Sequence, residues 1–366
     1  AMANGAQGAP GRKELRQLRL RFESTNGSGN DTRYLWRGPV EGIEDKREVQ
    51  PAEEQIGHFG GGDRTYVSAL LAELAIPETE ATFEQLPSIF MAGGMGTSGG
   101  GNRAGSAQGA SGSSVVFTLP IPDTGGPITY SYTMEAGDDA YAERMTYGIC
   151  KEIKLSFAGA EAMKVEATFM GRFGTSTNAQ GTFVNAGTPP SVEVILASAG
   201  SFWLSPVGSG FGTGAVTAGN ILAGELTFTP KWKEKYPIDS GNIFFHTAVY
   251  TGCDVEGELT LEHQISGTYG AAGSAGQVEK WRAQQPQLLQ MTWRGGVIAE
   301  GTTYTNKELT IQLPIKHYVA EPLDDMDDND IRVFQFQSKW NENTPVAGRG
   351  TVIIARLGTS EFDGAN

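Results

Sequence analysis

The sequence predicts an all-β fold with one or two short helices, arranged as two tandem β-sandwich or half-barrel units. Three observations lead there. Most apolar stretches alternate with polar residues and are rich in Val, Ile, Thr, Phe and Tyr, as in "SVVFTLPI", "PITYSYTME" and "KELTIQLPIKHY", the pattern of half-buried strands. Glycine supplies 50 of 366 residues, about twice its usual share of roughly 7%, so turns and loops are frequent. A stretch carrying one of the two cysteines, "YGICKEIKLSF" (Tyr147 to Phe157), also returns as "YTGCDVEGELTLEH" (Tyr250 to His263) carrying the other.

In chain order, "KELRQLRLRFES" sets Leu18, Leu20 and Phe22 against Arg19, Arg21 and Glu23, which is period two and a strand. Lys13, Arg16, Arg19 and Arg21 make a basic stripe there, read first as a solvated strand face and second as a seam with another subunit. Residues 33–67 mix apolar anchors with charges and turn residues, so they read as strand pieces joined by long excursions. From Thr82, "TFEQLPSIFMAGG" has Gln85 three residues after Thr82, apolar Phe83, Leu86, Ile89 and Phe90 at helical spacing, and Gly93 as a stop. That predicts a capped amphipathic helix lying across a sheet, with Pro87 in its first turns.

Residues 93–114, 174–190 and 208–220 are rich in Gly, Ser, Ala or Asn and read as long loops. Between and after them run "SVVFTLPI", "PITYSYTME", "RMTYGICKEIKLSF", "MKVEATFMGR", "PSVEVILAS", "ILAGELTFTPKW", "NIFFHTAVY", "CDVEGELTLEH", "LLQMTWRGGVI", "KELTIQLPIKHY", "IRVFQFQSKW" and "GTVIIARLG", each a candidate strand. "QVEKWRAQQPQLL", Gln277 to Leu289, predicts a helix of about two turns that Pro286 ends before a strand.

The cysteine stretches bring other similarities with them. "SSVVFTLPI" precedes the first as "AGELTFTPKW" precedes the second, and "VEATFMGR" follows the first as "LLQMTWRGG" follows the second. Internal similarity at long period implies a duplicated unit, here residues 1–221 and 222–366. On that reading Cys150 and Cys253 occupy equivalent buried positions in separate units and pack rather than bond.

Chemistry-bearing patterns are scarce. His58, His246, His263 and His317 lie on different segments without the spacing of a zinc site or a hydrolytic triad, and neither cysteine has the flanks of a known nucleophile. "GGMGTSGGG" lacks the Lys-Ser/Thr ending of a phosphate loop. Asp324, Asp325, Asp327, Asp328 and Asp330 lie close in sequence but lack the order of a calcium loop, so a solvated acidic loop is favoured over a cation site. The expectation is a protein without catalytic, cofactor-binding or metal residues, and not an enzyme. No apolar run reaches the roughly 18 residues of a membrane span, and the start lacks a signal-peptide core, so a soluble protein made in a cytoplasm, with no membrane partner, is expected. The net charge of −14 opposes general affinity for nucleic acid, which needs clustered Lys and Arg.

The order of segments resembles the major tail tube proteins of long-tailed bacteriophages. The resemblance rests on "WRGPVEGIEDKREVQPAEEQIG", then a helix, a glycine-rich loop and "YGICKEIKLSFAGAEAMKVEATFMGR". It continues through "GELTFTPKWKEKYPIDSGNIFF", "WRAQQPQLLQMTWRGGVI", "KELTIQLPIKHYVAEPLDDMDDNDIRVFQFQSKW" and "GTVIIARLG". It implies two tail-tube-type β-sandwich units, and a virion protein that assembles with itself into rings stacked as a conduit for DNA ejection. A duplicated chain would form trimers with pseudo-sixfold symmetry, a single-unit chain hexamers. Other tail proteins would meet the tube ends, and DNA would pass transiently through an acidic lumen. No cofactor is implied. The competing expectation is a carbohydrate-binding or adhesive β-sandwich in which Trp36, Trp203, Trp232, Trp281, Trp293 and Trp340 serve as stacking platforms.

Overall fold

A computed structural model describes residues 13–29, 34–52, 64–94, 96–97, 106–107, 112–118, 130–174, 183, 189, 191–207, 210–213, 215–216, 221–238, 243–262, 274–297, 305–326, 329–338 and 351–357. The first part of the chain forms β1 (Gln17–Phe22), β2 (Tyr34–Leu35), β3 (Glu44–Asp45), β4 (Glu48–Pro51), β5 (Thr65–Ala69), β6 (Ala72–Glu80) and α1 (Leu86–Ala92). Next come β7 (Gly96–Thr97), β8 (Ser106–Ala107), β9 (Gly112–Thr118), β10 (Tyr132–Gly137), β11 (Ala142–Ala158), β12 (Lys164–Gly174), β13 (Gly200–Pro206) and β14 (Ala215–Val216). The remainder supplies β15 (Ile221–Lys235), β16 (Thr247–Glu262), α2 (Ser274–Arg282), β17 (Gln287–Val297), β18 (Asn306–Ala320), β19 (Asp324–Met326), β20 (Asn329–Ser338) and β21 (Thr351–Leu357). Among the described residues the fold is all-β with two short α-helices. Apart from the β4–β5 hairpin, their strands join one hydrogen-bonded network of 19.

Two long strands organise that network. β11 has β12 along one edge, while its other edge is divided: residues 142–148 pair with β10 and residues 153–158 with β15. The division coincides with a register shift at Thr146–Ile149 and with Tyr147 at φ 55. β18 repeats the arrangement, with β17 on one edge and the other shared between β21 and β20. A bend lets one strand serve two neighbours, so the sheet curls around its apolar side chains.

The expected alternation of β1 holds, since Leu18, Leu20 and Phe22 are buried. Of the basic stripe, Lys13 and Arg16 are exposed and Arg21 half-exposed, but Arg19 is not solvated as expected: it is buried, bonded to Gln17 Oε1 and stacked over the Phe183 ring. Thr82 and Gln85 do interact, Thr82 Oγ1 accepting from the Gln85 N–H at 3.3 Å, but they form a turn and α1 begins only at Leu86. Pro87 falls in its first turn, where no N–H is needed. The helix is not amphipathic in place, because every residue from Leu86 to Ala92 is buried; Phe90 meets Phe228 edge-on at 5.6 Å. α2 ends at Arg282 and Pro286 precedes β17 as expected. "NIFFHTAVY" and "CDVEGELTLEH" supply one continuous strand, β16, whereas "PSVEVILAS" makes only the isolated bridges of Val194 and Leu196 and a short 3-10 turn.

Strands on either side of residue 221 pair freely with one another, as β11 does with β15, β13 with β17 and β9 with β21. The segments aligned as repeats have different neighbours. β12 is the hairpin partner of β11, whereas β17 lies between β13 and β18 and not beside β16. The pairing pattern therefore lends the duplication no support.

Candidate functional site: the polar face of the sheet

Pairing register places a set of charged side chains on one side of the central strands. One row runs Glu80, Lys164, Ser156, Glu225, Glu258 and Gln335 across β6, β12, β11, β15, β16 and β20. The next runs Glu166, Lys154, Thr227, Glu256, Gln337 and Lys316, ending on β18. The residues between them point the other way: Ile153, Leu155, Phe157, Val165, Leu226, Phe228, Leu259 and Phe336 are all in the core. Alternation thus makes one face apolar and packed and the other charged.

Carboxylates dominate the charged face. Glu225 stands directly opposite Glu258, a repulsive cross-strand pair. Lys154 Nζ lies 3.0 Å from Glu225, and Gln335 and Gln337 donate to Glu258 and Glu256 at 3.3 and 2.7 Å. The hydrogen bond to Glu225 raises the Lys154 pKa, and that to Glu78 raises the pKa of Lys164. Lys231 pairs with Asp254 at 2.6 Å farther along the β15–β16 hairpin. These pairs are well exposed and contribute little stability each. A depression of about 240 Å³ lies on this face among Ser156, Lys164, Glu225, Glu258 and Thr260. A larger one, about 600 Å³, runs along β6 beside Arg37, Gly38, Pro39, Val192 and Val194.

The expected residues are dispersed. Cys150 is fully buried and Cys253 half-buried, and both are free thiols. Burial raises the Cys150 pKa, and pushes Cys253 up to about 12, which leaves neither as a thiolate near neutrality. His246 is exposed and His317 buried, while His58 and His263 lie outside the described residues. Asp324 and Asp330 are exposed on the β19–β20 hairpin, where Asp325 pairs opposite Asp330, and Asp327 and Asp328 lie outside the described residues. Among the described residues no three His, Cys, Asp or Glu are placed to hold a metal. Trp36 and Trp293 are core, Trp203, Trp232 and Trp281 half-buried, and Trp340 lies outside the described residues. No described helix is long and apolar enough to cross a membrane.

Beyond Cys150 on β11, Lys151, Glu152 and Lys154 lie on the charged face; Lys151 is 3.9 Å from Glu73 there. What the sequence alone missed is the face itself, because its rows join residues more than 180 positions apart. No family model matches the chain, and no curated protein matches it.

Proposed function

We propose that the chain is a structural subunit of a hollow tube, of the kind that tail tube proteins of long-tailed bacteriophages form from stacked rings. The observation that carries this reading is the one-sided central sheet. Its apolar face packs against the chain's own core, and the carboxylates of its opposite face, Glu80, Glu166, Glu225, Glu256 and Glu258, are exposed or half-exposed. A sheet of that kind, repeated around an axis with its charged face inward, lines a bore that repels phosphate, so that DNA slides without adhering.

Two further features support self-association. Among the described residues the outer edge of β6 pairs with β3 only at Ala72 and Glu73, and a groove lies beside its far end at Glu78, Thr79 and Glu80. An open edge is a liability that pairing with another subunit removes. The β4–β5 hairpin stands outside the main network with Val49 and Tyr66 exposed, which suits contact with a neighbouring ring. Three copies per ring are expected if the chain holds two units, and six if it holds one. The virion tail is then its location, and other tail proteins its partners at the tube ends.

Electron microscopy of the concentrated protein tests the proposal. Rings or hollow filaments of uniform bore are expected, whose mass separates three copies from six. Monomers that persist at high concentration would overturn it.

A further inference from the structure

Where α2 docks on the sheet, polar side chains are buried together. Gln277 of α2, Gln287 at the start of β17 and His317 of β18 are all buried, with Lys280 of α2 half-buried beside them. Lys280 Nζ donates to Gln287 Oε1 at 3.4 Å, and Gln287 Nε2 donates to Gln277 Oε1 at 2.7 Å. His317 Nε2 lies 3.1 Å from that same Gln277 oxygen. An ammonium has donors only, so the Gln287 oxygen must face Lys280 and its amide nitrogen must face Gln277. Gln277 therefore turns its oxygen to both neighbours, and His317 Nε2 must carry the proton it donates there. Nδ1 is left as a bare acceptor, and it has no partner among the described residues.

We propose that this cluster is an acid-sensitive latch: protonation of His317 Nδ1 releases α2 from the sheet and uncovers the apolar patch of Leu261, Val278 and Phe334. A second ring proton creates a buried charge and an N–H with no acceptor, both of which cost free energy that docking must supply. The groups around the ring offer no relief. α2 presents the Lys280 cation, and β17 the neutral Gln287. β20 presents the Phe334 and Phe336 rings, at 5.3 and 6.3 Å, with Arg332 farther along the same strand. On β18 itself the adjacent residues are Lys316 and Tyr318. No carboxylate bonds to the imidazole among the described residues.

Burial, assisted by Lys280, holds the His317 pKa at about 4, whereas a solvated histidine titrates near 6.5. The released state thus binds more protons than the docked one between those values. Docking is strongest above about pH 6.5 and weakens as pH falls toward about 4.

Amide hydrogen exchange of the full chain, corrected for intrinsic rates, reads the effect directly. From about pH 6 to about pH 4.5 the opening constant of α2 is expected to rise about 20-fold, while β11 and β12 keep their protection. His317→Gln keeps a donor for Gln277 but cannot take a charge, and is expected to abolish the rise. Lys280→Gln removes the neighbouring cation, brings the docked His317 pKa closer to the solvated value and is expected to shrink the rise, which then levels off at higher pH; it decides the matter if the His317 variant does not fold. An α2 opening that ignores pH, rises equally in His317→Gln, is undiminished in Lys280→Gln, or comes only with opening of the whole sheet would overturn the latch.

Discussion

Glu23 is the residue on which the bend of β11 depends. Its buried carboxylate accepts from Gly27 N at 2.6 Å, Ser131 Oγ at 2.5 Å, Thr133 Oγ1 at 2.8 Å and Tyr147 N at 3.1 Å. The last of these restrains Tyr147 in a left-handed conformation that a bulky residue adopts only under constraint. Opposite, the Tyr147 hydroxyl accepts the Ala248 N–H, and its ring packs on Phe245 with Arg172 4.7 Å from its centroid. One carboxylate thus ties β1, β10 and β11 to the start of β16. Glu23→Ala strips several buried donors of their acceptor at once, and the expected cost is about 3 kcal/mol, measurable by urea unfolding. In the sequence Glu23 is only the last polar residue of an alternating strand, because its partners Ser131, Thr133 and Tyr147 are more than 100 positions away.

At the scale of elements, α1 is placed by the turn at its C-terminal end. Gly93 ends the helix, and Gly94, at φ 72, brings the chain against Trp232 and Tyr250 of the β15–β16 hairpin. A Cβ at Gly94 would lie 2.7 Å from the Trp232 ring and 2.8 Å from that of Tyr250, and those rings already contact each other at 5.2 Å. Gly94→Ala therefore combines backbone strain with overpacking, and a loss of about 2 kcal/mol or more is expected. A thermal scan checks it; a melting temperature equal to the wild type would show that the turn has room the packing denies. The existence of both helices and the strand character of most segments are legible from local period and punctuation. The exact start of α1 is not, because Thr82 and Gln85 satisfy each other in a turn instead of capping the helix.

For the whole molecule, the charged face should set how the protein meets nucleic acid whether or not rings have formed. Reversing Glu225, Glu256 and Glu258 to Lys changes exposed or half-exposed positions on β15 and β16. Fold stability should move by less than about 1 kcal/mol in total, since surface substitutions generally have small effects. The wild type is expected to leave duplex DNA unretarded in a gel, and the triple variant to retain it at low salt but lose it steeply as salt rises. If both behave alike, these rows do not form a surface on which phosphates are met.

The sequence by itself determined the β character, the positions of the breaks and the excess of acid, because alternation, turn residues and charge are local quantities. It also led to a duplication that the pairings do not reproduce. "VEATFMGR" and "LLQMTWRGG" look alike as strands, yet one pairs with its preceding neighbour and the other does not. Tertiary structure alone decided that β11 and β18 each divide an edge between two partners, that Arg19 is buried, that His317 meets Gln277, and that Glu80, Glu225 and Glu258 share one row. The reason is physical: an alternating strand specifies which of its side chains share a face but carries little information about which strand lies beside it. That choice is made by long-range burial and by the few bends, such as Tyr147, that turn a strand from one neighbour to the next.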